Sequence, residues 1–247
     1  VLYLGVELLS LPLYAMIAFQ RDSARSVEAS LKYFLIGAVA SGLLLYGLSI
    51  LFGLTQSIEV PVVANVVATA LSQQWHVVLF AMVFVLAGIA FKLGLAPFHM
   101  WVPDVYDGAP NSITLFVSGA PKVAAFGLLM RLLIETMPSA SHEWQALLIV
   151  IALLSMAIGN IAAIIQTNIK RMLAYSSIAH SGYLLLGVLC ATPRGYAAAL
   201  FYLISYMVMS IGAFGMLVLL SCTGKEIRQV DDLHGLNARN PWLAFVF

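Results

Sequence analysis

The sequence predicts an all-α integral membrane protein, a polytopic helical bundle with about seven full spans and the start of an eighth. Hydrophobic residues make up 62% of its 247 positions and charged residues only 9%, whereas an average soluble domain has about 25% charged residues. The apolar residues come in stretches near the ~20 that cross a bilayer as a helix. An alternating apolar–polar pattern, typical of membrane strands, is missing from these stretches.

Polar breaks between the apolar runs give the boundaries of the predicted spans. They are 1–20, 31–54, 76–100, 112–134, 144–166, 172–191 and 196–222, with a further span from 241 onward. Because unsatisfied backbone groups are not tolerated in hydrocarbon, each run is predicted to be a helix. We expect one transmembrane domain over 1–247. Both ends of the sequence lie inside apolar runs, so we also expect a fragment that lacks both ends of a longer protein.

Basic residues in the predicted loops set the orientation. One side is predicted to carry Arg21, Arg25, Lys170, Arg171, Lys225, Arg228 and Arg239, and the other side only Arg131 and Arg194. Loops on the cytoplasmic side, or its organellar equivalent, carry the excess of Lys and Arg. The first group is therefore predicted to face that side.

Composition and motifs argue against several other functions. A net charge of +1 gives no basic footprint for nucleic acid. Cys190 and Cys222 form no metal-ligand pattern, lie in apolar stretches and are interpreted as packing residues. There is no phosphate-binding loop, dinucleotide motif or iron–sulfur cysteine set, so we expect neither a cofactor nor a metal in this chain.

Ionisable residues inside the predicted spans are the main functional signal. Glu7, Lys92 and Lys122 lie well within spans, where a central charge costs about 2.5–3.5 kcal/mol. Glu7 is too deep for its side chain to reach water. Lys92 could extend its amine toward the membrane surface, which leaves a simple anchoring role open, whereas Lys122 lies near the middle of its span. Buried charges of this kind are typical of proton or ion pathways.

Lys32 and His180 are candidates with open alternatives. Lys32 begins the second span, so it could belong to the pathway or could bind lipid headgroups. His180 lies in a polar stripe with Tyr175, Ser176, Ser177 and Ser181. It could relay protons or only hydrogen-bond between helices.

Prolines accompany both central lysines. Pro97 follows Lys92 by five residues, and Pro121 directly precedes Lys122. Each proline removes one helical hydrogen bond, which frees the carbonyl of Leu93 or Val117. Discontinuous helices at membrane depth mark ion sites in transporters. We therefore predict that spans three and four are interrupted near the prolines and that both lysines face the interior.

Four sequence blocks carry a resemblance to a known family. They are 91–110 (FKLGLAPFHMWVPDVYDGAP), 119–127 (GAPKVAAFG), 7–14 (ELLSLPLY) and 168–183 (NIKRMLAYSSIAHSGY). In this order and spacing the chain resembles the antiporter-like subunits of respiratory complex I, NADH-quinone oxidoreductase, and among them the N type. The resemblance covers essentially the whole chain.

The resemblance implies an antiporter-like bundle with discontinuous helices that translocates protons coupled to quinone reduction elsewhere in the complex. Glu7 would be the family's buried glutamate, paired with Lys32. Lys92 would be the central lysine of a broken helix, and Lys122 and His180 the connecting residues. A further lysine of the family would lie beyond Phe247.

The resemblance also implies partners and location. NAD, FMN, iron–sulfur clusters and quinone would belong to other subunits. The neighbours would be an M-type subunit, small K- and J-type subunits and lipid. A bacterial inner membrane is favoured over an organellar inner or thylakoid membrane. A subunit of a multisubunit Na⁺/H⁺ antiporter or of a membrane-bound hydrogenase remains the alternative, and a purely structural membrane scaffold is a more distant one.

Overall fold

The computed structural model describes residues 1–221 and 227–246, and these residues form an α-helical bundle. Its α-helices are α1 (Leu2–Ile17), α2 (Ala24–Thr55), α3 (Val60–Gln73), α4 (Trp75–Leu93), α5 (Trp101–Gly108), α6 (Asn111–Leu129), α7 (Ser141–Ile165), α8 (Ile169–Leu189), α9 (Pro193–Ser221), α10 (Leu236–Arg239) and α11 (Pro241–Val246). A π-helical turn, Met130–Glu135, extends α6, and a 3₁₀ turn, Pro138–Ala140, precedes α7.

Six of the described helical segments are long and apolar enough to cross a membrane. They are Ala24–Thr55, Trp75–Leu93, Asn111–Glu135, Pro138–Ile165, Ile169–Leu189 and Pro193–Ser221. These segments correspond to predicted spans two to seven and agree with the predicted class of an all-α membrane protein. The first predicted span is the shorter helix α1 of 16 residues, and the predicted eighth begins as α11.

The predicted spans leave a loop between residues 54 and 76, but the structure has helix α3 there. Pro61 occupies its first turn, and Val63 and Val67 are buried. Proline is favoured in the first turn of a helix because its missing N–H would have no partner there. The helix packs against the 3₁₀ turn that precedes α7. It therefore covers the end of the bundle at which α2 ends and α7 begins.

Glycines set the close approach of α2 and α4. A Cβ atom on Gly88 of α4 would lie 2.6 Å from Leu44 Cβ, and one on Gly47 of α2 would lie 2.8 Å from Ala81 O. Small residues at such crossings allow membrane helices to pack by van der Waals contact. This pair of helices carries much of the larger apolar core, including Leu44, Val85 and Ile89.

The interruption predicted for span three is confirmed. Helix α4 ends at Leu93, Gly94 adopts a left-handed conformation with φ +71°, and α5 does not begin until Trp101. The interruption predicted near Pro121 is wrong, because α6 runs continuously from Asn111 to Leu129 with Pro121 inside it. A proline removes a single donor, and the neighbouring hydrogen bonds maintain the helix.

One end of the bundle gathers several of the predicted basic loop residues. Arg25 and Arg171 line one cavity, and Arg228 O accepts a hydrogen bond from Ile169 N at the start of α8. Lys170 differs from the prediction, because it is 1% exposed rather than part of a solvated loop. Lys225 lies outside the described residues.

The two cysteines cannot both be assigned to packing. Cys190 is an exposed free cysteine at the end of α8, so the interpretation of it as a packing residue is wrong. An apolar sequence context does not distinguish a core position from a position on the outer surface of a membrane bundle. Cys222 lies outside the described residues.

A glycine substitution tests the α2–α4 contact. We expect Gly88→Ala to lower stability by about 1–3 kcal/mol, because the added methyl overpacks a close helix crossing. Gly42→Ala on α2 is the control, since no atom lies within 4 Å of a Cβ there. Thermal unfolding in detergent should show a lower midpoint for Gly88→Ala alone. Equal midpoints for both variants would contradict the role given to Gly88.

Cysteine labelling tests the predicted orientation. In a background with Cys190 and Cys222 replaced by serine, Ser57→Cys and Arg194→Cys should react with a membrane-impermeant maleimide in intact cells. His234→Cys should react only after the membrane is opened, because the basic end of the bundle is predicted to face inward. Labelling of Ser57→Cys and His234→Cys from the same side would overturn the predicted topology.

Candidate proton-pathway site

A buried ion pair between α1 and α4 forms the centre of the site. Lys92 Nζ lies 2.8 Å from Glu7 Oε1, and the two side chains are 4% and 18% exposed. Two serines complete the arrangement. Lys92 also donates to Ser10 Oγ at 2.9 Å, and Ser41 Oγ donates to Glu7 Oε1 at 2.6 Å. Each charge is therefore stabilised by its counter-ion and by a neutral hydroxyl.

The broken helix explains why a lysine can occupy this position. Lys92 lies in the last turn of α4, where the unpaired carbonyls of a helix C-terminus favour a cation. Gly94 turns the chain out of the helix directly afterwards, and the next helix, α5, begins only at Trp101. The end of α4 thus lies inside the bundle instead of at its surface.

The predicted pairing of Glu7 with Lys32 is wrong. Lys32 Nζ lies 2.8 Å from Asp104 on α5 and 2.8 Å from Glu28 on its own helix, with its side chain 43% exposed. Helix α1 packs against α2 and α6, and the residue of α2 that reaches Glu7 is Ser41. Ser41 is nine residues after Lys32, about 13 Å farther along the helix.

Asp104 joins three helices in an ionic cluster at the basic end of the bundle. Its two carboxylate oxygens accept hydrogen bonds from Lys32 of α2 and Arg171 of α8, each at 2.8 Å. Partial burial raises the pKa of Asp104, but the hydrogen bonds from Lys32 and Arg171 outweigh this effect and hold the pKa below its ordinary value. The carboxylate therefore stays ionised at neutral pH.

Lys122 is buried among neutral groups. Its Nζ donates to Ser177 O at 2.9 Å and to Ser181 Oγ at 3.0 Å, and it lies 4.9 Å from the centroid of the Tyr206 ring. Carbonyl and hydroxyl oxygens, together with an aromatic face, stabilise a cation without a full counter-charge. Both Lys92 and Lys122 face the protein interior, as predicted.

Ser181 links Lys122 to the end of the broken helix. Its Oγ accepts from Lys122 and lies 3.0 Å from Leu93 O and 2.9 Å from Ser177 O, the two carbonyls to which its single proton can be donated. Leu93 is the residue directly after Lys92 and the last residue of α4, so its carbonyl has no partner within that helix. The carbonyl predicted to be freed at Leu93 thus lies within hydrogen-bonding distance of the serine that contacts Lys122.

His180 lies beside Lys122 in a pocket of tyrosines. Its Nδ1 lies 2.6 Å from Tyr202 Oη, and its ring centroid is 5.2 Å from that of Tyr206. Lys122, His180, Ser181, Tyr202 and Tyr206 line a cavity of about 10 Å³, near the volume that one water molecule needs. The arrangement gives His180 a hydrogen-bonding partner on α9 and leaves both of its predicted roles open.

Sequence reasoning missed two charged residues of the site region. Asp104 was treated only as part of a motif, although a carboxylate near several basic helix ends is a signal for an ionic cluster. Lys170 donates to Ala109 O at 2.7 Å, which fixes the junction between α5 and α6 to the start of α8. Within residues 1–221 and 227–246, no group of His, Cys, Asp and Glu side chains could hold a metal ion.

These features define a class of protein: a helical membrane bundle with a broken helix and a buried lysine–glutamate pair. The whole sequence, residues 1–247, matches the family described as "NADH:quinone oxidoreductase/Mrp antiporter, TM". The chain belongs to this family.

Within the family the chain is similar to NADH-quinone oxidoreductase subunit N. The subunit of that name from Coxiella burnetii is 61% identical over 244 residues, which are 99% of this chain and 51% of the relative. The chain thus spans about half the length of the curated relatives that it matches.

Solved structures support the fold. A chain of respiratory complex I from Thermus thermophilus with bound aureothin is 35% identical, with a TM-score of 0.81 over 98% of this chain and 51% of that chain. A chain of the Mrp complex from Dietzia sp. DQ12-45-1b is 26% identical, with a TM-score of 0.77 over 87% of this chain and 40% of that chain. The predicted resemblance to the N type is confirmed by the curated relatives.

Substitution of Asp104 tests the ionic cluster. We expect Asp104→Asn to lower stability by about 1–2 kcal/mol, because two cations lose a partly buried partner. Glu28→Gln is the matched control. Glu28 also pairs with Lys32, but its side chain is 65% exposed, so we expect little or no change. Thermal unfolding in detergent should separate the two variants, and equal midpoints would contradict the bridging role of Asp104.

The pH dependence of Asp104 follows from its lowered pKa. The stabilisation that ionised Asp104 contributes is fully present at pH values above the ordinary aspartate pKa of about 3.9. It is lost only as the pH falls through the lower pKa that Asp104 has in the folded state. The difference between wild type and Asp104→Asn should therefore persist from neutral pH to about pH 4.

Proposed function

We propose that this chain is part of a proton-translocating membrane subunit of NADH-quinone oxidoreductase, of the N type. Glu7, Lys32, Lys92, Lys122 and His180 would be its proton-handling residues. Translocation would be coupled to quinone reduction elsewhere in the complex. The observation that carries the proposal is the Glu7–Lys92 ion pair at the end of a broken helix.

Lys92 is the residue whose protonation switches in this mechanism. Burial destabilises a lone ammonium, and a nearby carboxylate offsets that penalty. Two unit charges about 3 Å apart interact by about 5 kcal/mol at an effective dielectric constant of about 20. If Glu7 moves away or its charge is compensated, Lys92 loses most of this stabilisation and releases its proton. Return of Glu7 allows the amine to take up the next proton.

The released proton passes toward Lys122 and His180. Ser181, the carbonyl of Leu93 and the small cavity beside His180 connect the end of α4 with α6, α8 and α9. A hydroxyl both donates and accepts, so Ser181 is suited to the transfer. No carboxylate is among the described contacts of Lys122. A proton bound there would therefore be held weakly and would stay only briefly.

Lys32 has a different place in this scheme from the one first expected. It lies with Asp104 and Arg171 beside a polar cavity at the basic end of the bundle. There it would lie at the aqueous end of the proton path and would not tune Glu7. The cavity is lined by both acidic and basic side chains, which keeps it hydrated.

The remaining assignments follow from membership of such a complex. The chain would lie in a bacterial inner membrane, in contact with lipid, an M-type subunit and small K- and J-type subunits. NAD, FMN, iron–sulfur clusters and quinone would be bound by other subunits. The similarity to a chain of the Mrp complex keeps a role in Na⁺/H⁺ exchange as the alternative. Proton pumping that is independent of Na⁺ would favour the first assignment.

Substitutions of the ion pair test the function. In the assembled complex, reconstituted into liposomes, Lys92→Ala should abolish or strongly reduce proton-coupled turnover. Lys92→Arg should not restore pumping, because a guanidinium does not release its proton in this range. Glu7→Gln should impair pumping, while Glu7→Asp should retain part of it. The measurement is the number of protons moved per electron transferred.

The controls separate pumping from assembly and redox chemistry. Electron transfer to an artificial acceptor that bypasses the membrane arm should remain normal in every variant, since these residues would only carry protons. Arg131→Ala removes an exposed ion pair with Glu135 and should leave pumping unchanged. Wild-type proton-to-electron ratios in assembled Lys92→Ala complexes would refute the proposed role.

A further inference from the structure

A polar cavity opens at the basic end of the bundle between α2, α5 and α8. Its volume is about 230 Å³, and its walls include Arg25, Lys32, Asp104, Asp107 and Arg171. The charged side chains are partly exposed, and Lys32 is bound to Asp104 as described above. The ionised side chains that line the cavity therefore lie at the same depth in the bundle as Lys32 on α2.

An aromatic layer closes the bundle next to this cavity. Tyr33 follows Lys32 in the sequence, but its ring turns inward and stacks on Trp101 of α5, with centroids 4.6 Å apart. The same ring lies 4.8 Å from Tyr14 of α1 and 6.2 Å from Phe91 of α4. Tyr33, Phe91 and Trp101 are each at most 3% exposed, and Tyr14 is 9% exposed.

The layer lies between the cavity and the Glu7–Lys92 ion pair. Phe91 directly precedes Lys92, and Tyr14 is one helical turn after Ser10, which accepts from Lys92. On α2, a Cβ atom at Gly37 would lie 2.5 Å from Tyr14 Oη, and Gly37 is one turn closer to Ser41 than Tyr33 is. Along α2 in the direction from Lys32 to Ser41, the aromatic layer at Tyr33 and Gly37 is therefore reached before Ser41, which contacts the ion pair.

Two contacts fix the position of the layer. The Trp101 indole donates to Phe91 O at 3.0 Å, so the ring of α5 is bound to the last turn of α4. Asp104, three residues after Trp101, binds α5 to α2 and α8. The orientation of α5 thus determines whether Trp101 remains stacked on Tyr33.

We propose that Tyr14, Tyr33, Phe91 and Trp101 form an aromatic seal that isolates the Glu7–Lys92 pair from the polar cavity. The inference rests on the proposed function and adds the residues that control access of protons to Lys92 from this face. Closely packed rings leave no room for a file of water molecules, and a proton needs such a file or a chain of hydrogen-bonding groups. Separation of the Trp101 and Tyr33 rings then connects Lys92 with the cavity.

The seal predicts a proton leak when a ring is removed. Complexes that carry Tyr33→Ala are reconstituted into liposomes with a pH-sensitive dye inside, and a pH step is applied without NADH or quinone. We expect the passive proton permeability to rise several-fold over wild type. Tyr33→Phe keeps the ring and removes the hydroxyl, so it should remain as tight as wild type. Trp101→Leu opens the other side of the same stack and should leak like Tyr33→Ala.

The outcomes separate this inference from the proposed function. Wild-type permeability in assembled Tyr33→Ala or Trp101→Leu complexes would overturn the seal. Tyr33→Phe leaking as much as Tyr33→Ala would also overturn it, because the hydroxyl and not the ring would then be responsible. If one variant does not assemble, the other decides. The leak is measured without turnover, so its absence would leave the Lys92 experiments unaffected.

Discussion

A lysine ammonium inside an apolar bundle needs a counter-charge, and most of the local structure around α4 meets this need for Lys92. Glu7 supplies the charge from α1, while Ser10 and Ser41 supply hydrogen bonds to the two partners. Removing one member of a buried pair costs about 3–5 kcal/mol, because the other charge is left uncompensated. Helix α4 also ends one residue after Lys92, so this lysine lies in its last turn, where the carbonyl end of the helix dipole favours a cation.

The remaining charges follow a different rule. Lys32, Glu28, Asp104 and Arg171 meet at one end of the bundle, where water screens them and their geometry can be less strict. Such partly exposed pairs each add little stability, but Asp104 contacts two helices and thereby holds α5 in place. Helix α5 in turn carries Trp101. The exposed cluster, the aromatic layer and the buried pair thus lie one after another in the bundle. Because α5 carries both Asp104 and Trp101, its position links the exposed cluster to the aromatic layer.

The sequence predicted the fold and the site to different depths for physical reasons. Apolar run length predicts membrane helices well, because hydrocarbon tolerates few alternatives. The burial of Lys92 and Lys122 followed from their depth in those runs. The partner of Glu7 did not, because the resemblance implied the lysine of the next helix, whereas the fold brings the lysine at the end of α4 to Glu7. Helix α3 was missed because its 14 residues are too short for a span. A proline predicts a lost hydrogen bond but does not by itself break a helix, as Pro121 inside α6 shows. The break after α4 also has a glycine, Gly94, that tolerates the positive φ of the turn.

Lys92 and Lys122 differ in what stabilises their charge. Lys92 has a carboxylate at 2.8 Å, whereas the described contacts of Lys122 are neutral oxygens and a ring. An ion pair is neutral as a whole, so the Glu7–Lys92 pair places little net charge near Lys122. Under the proposed mechanism, loss of the Glu7 contact would leave the ammonium of Lys92 uncompensated in the bundle interior, and release of its proton would relieve that cost.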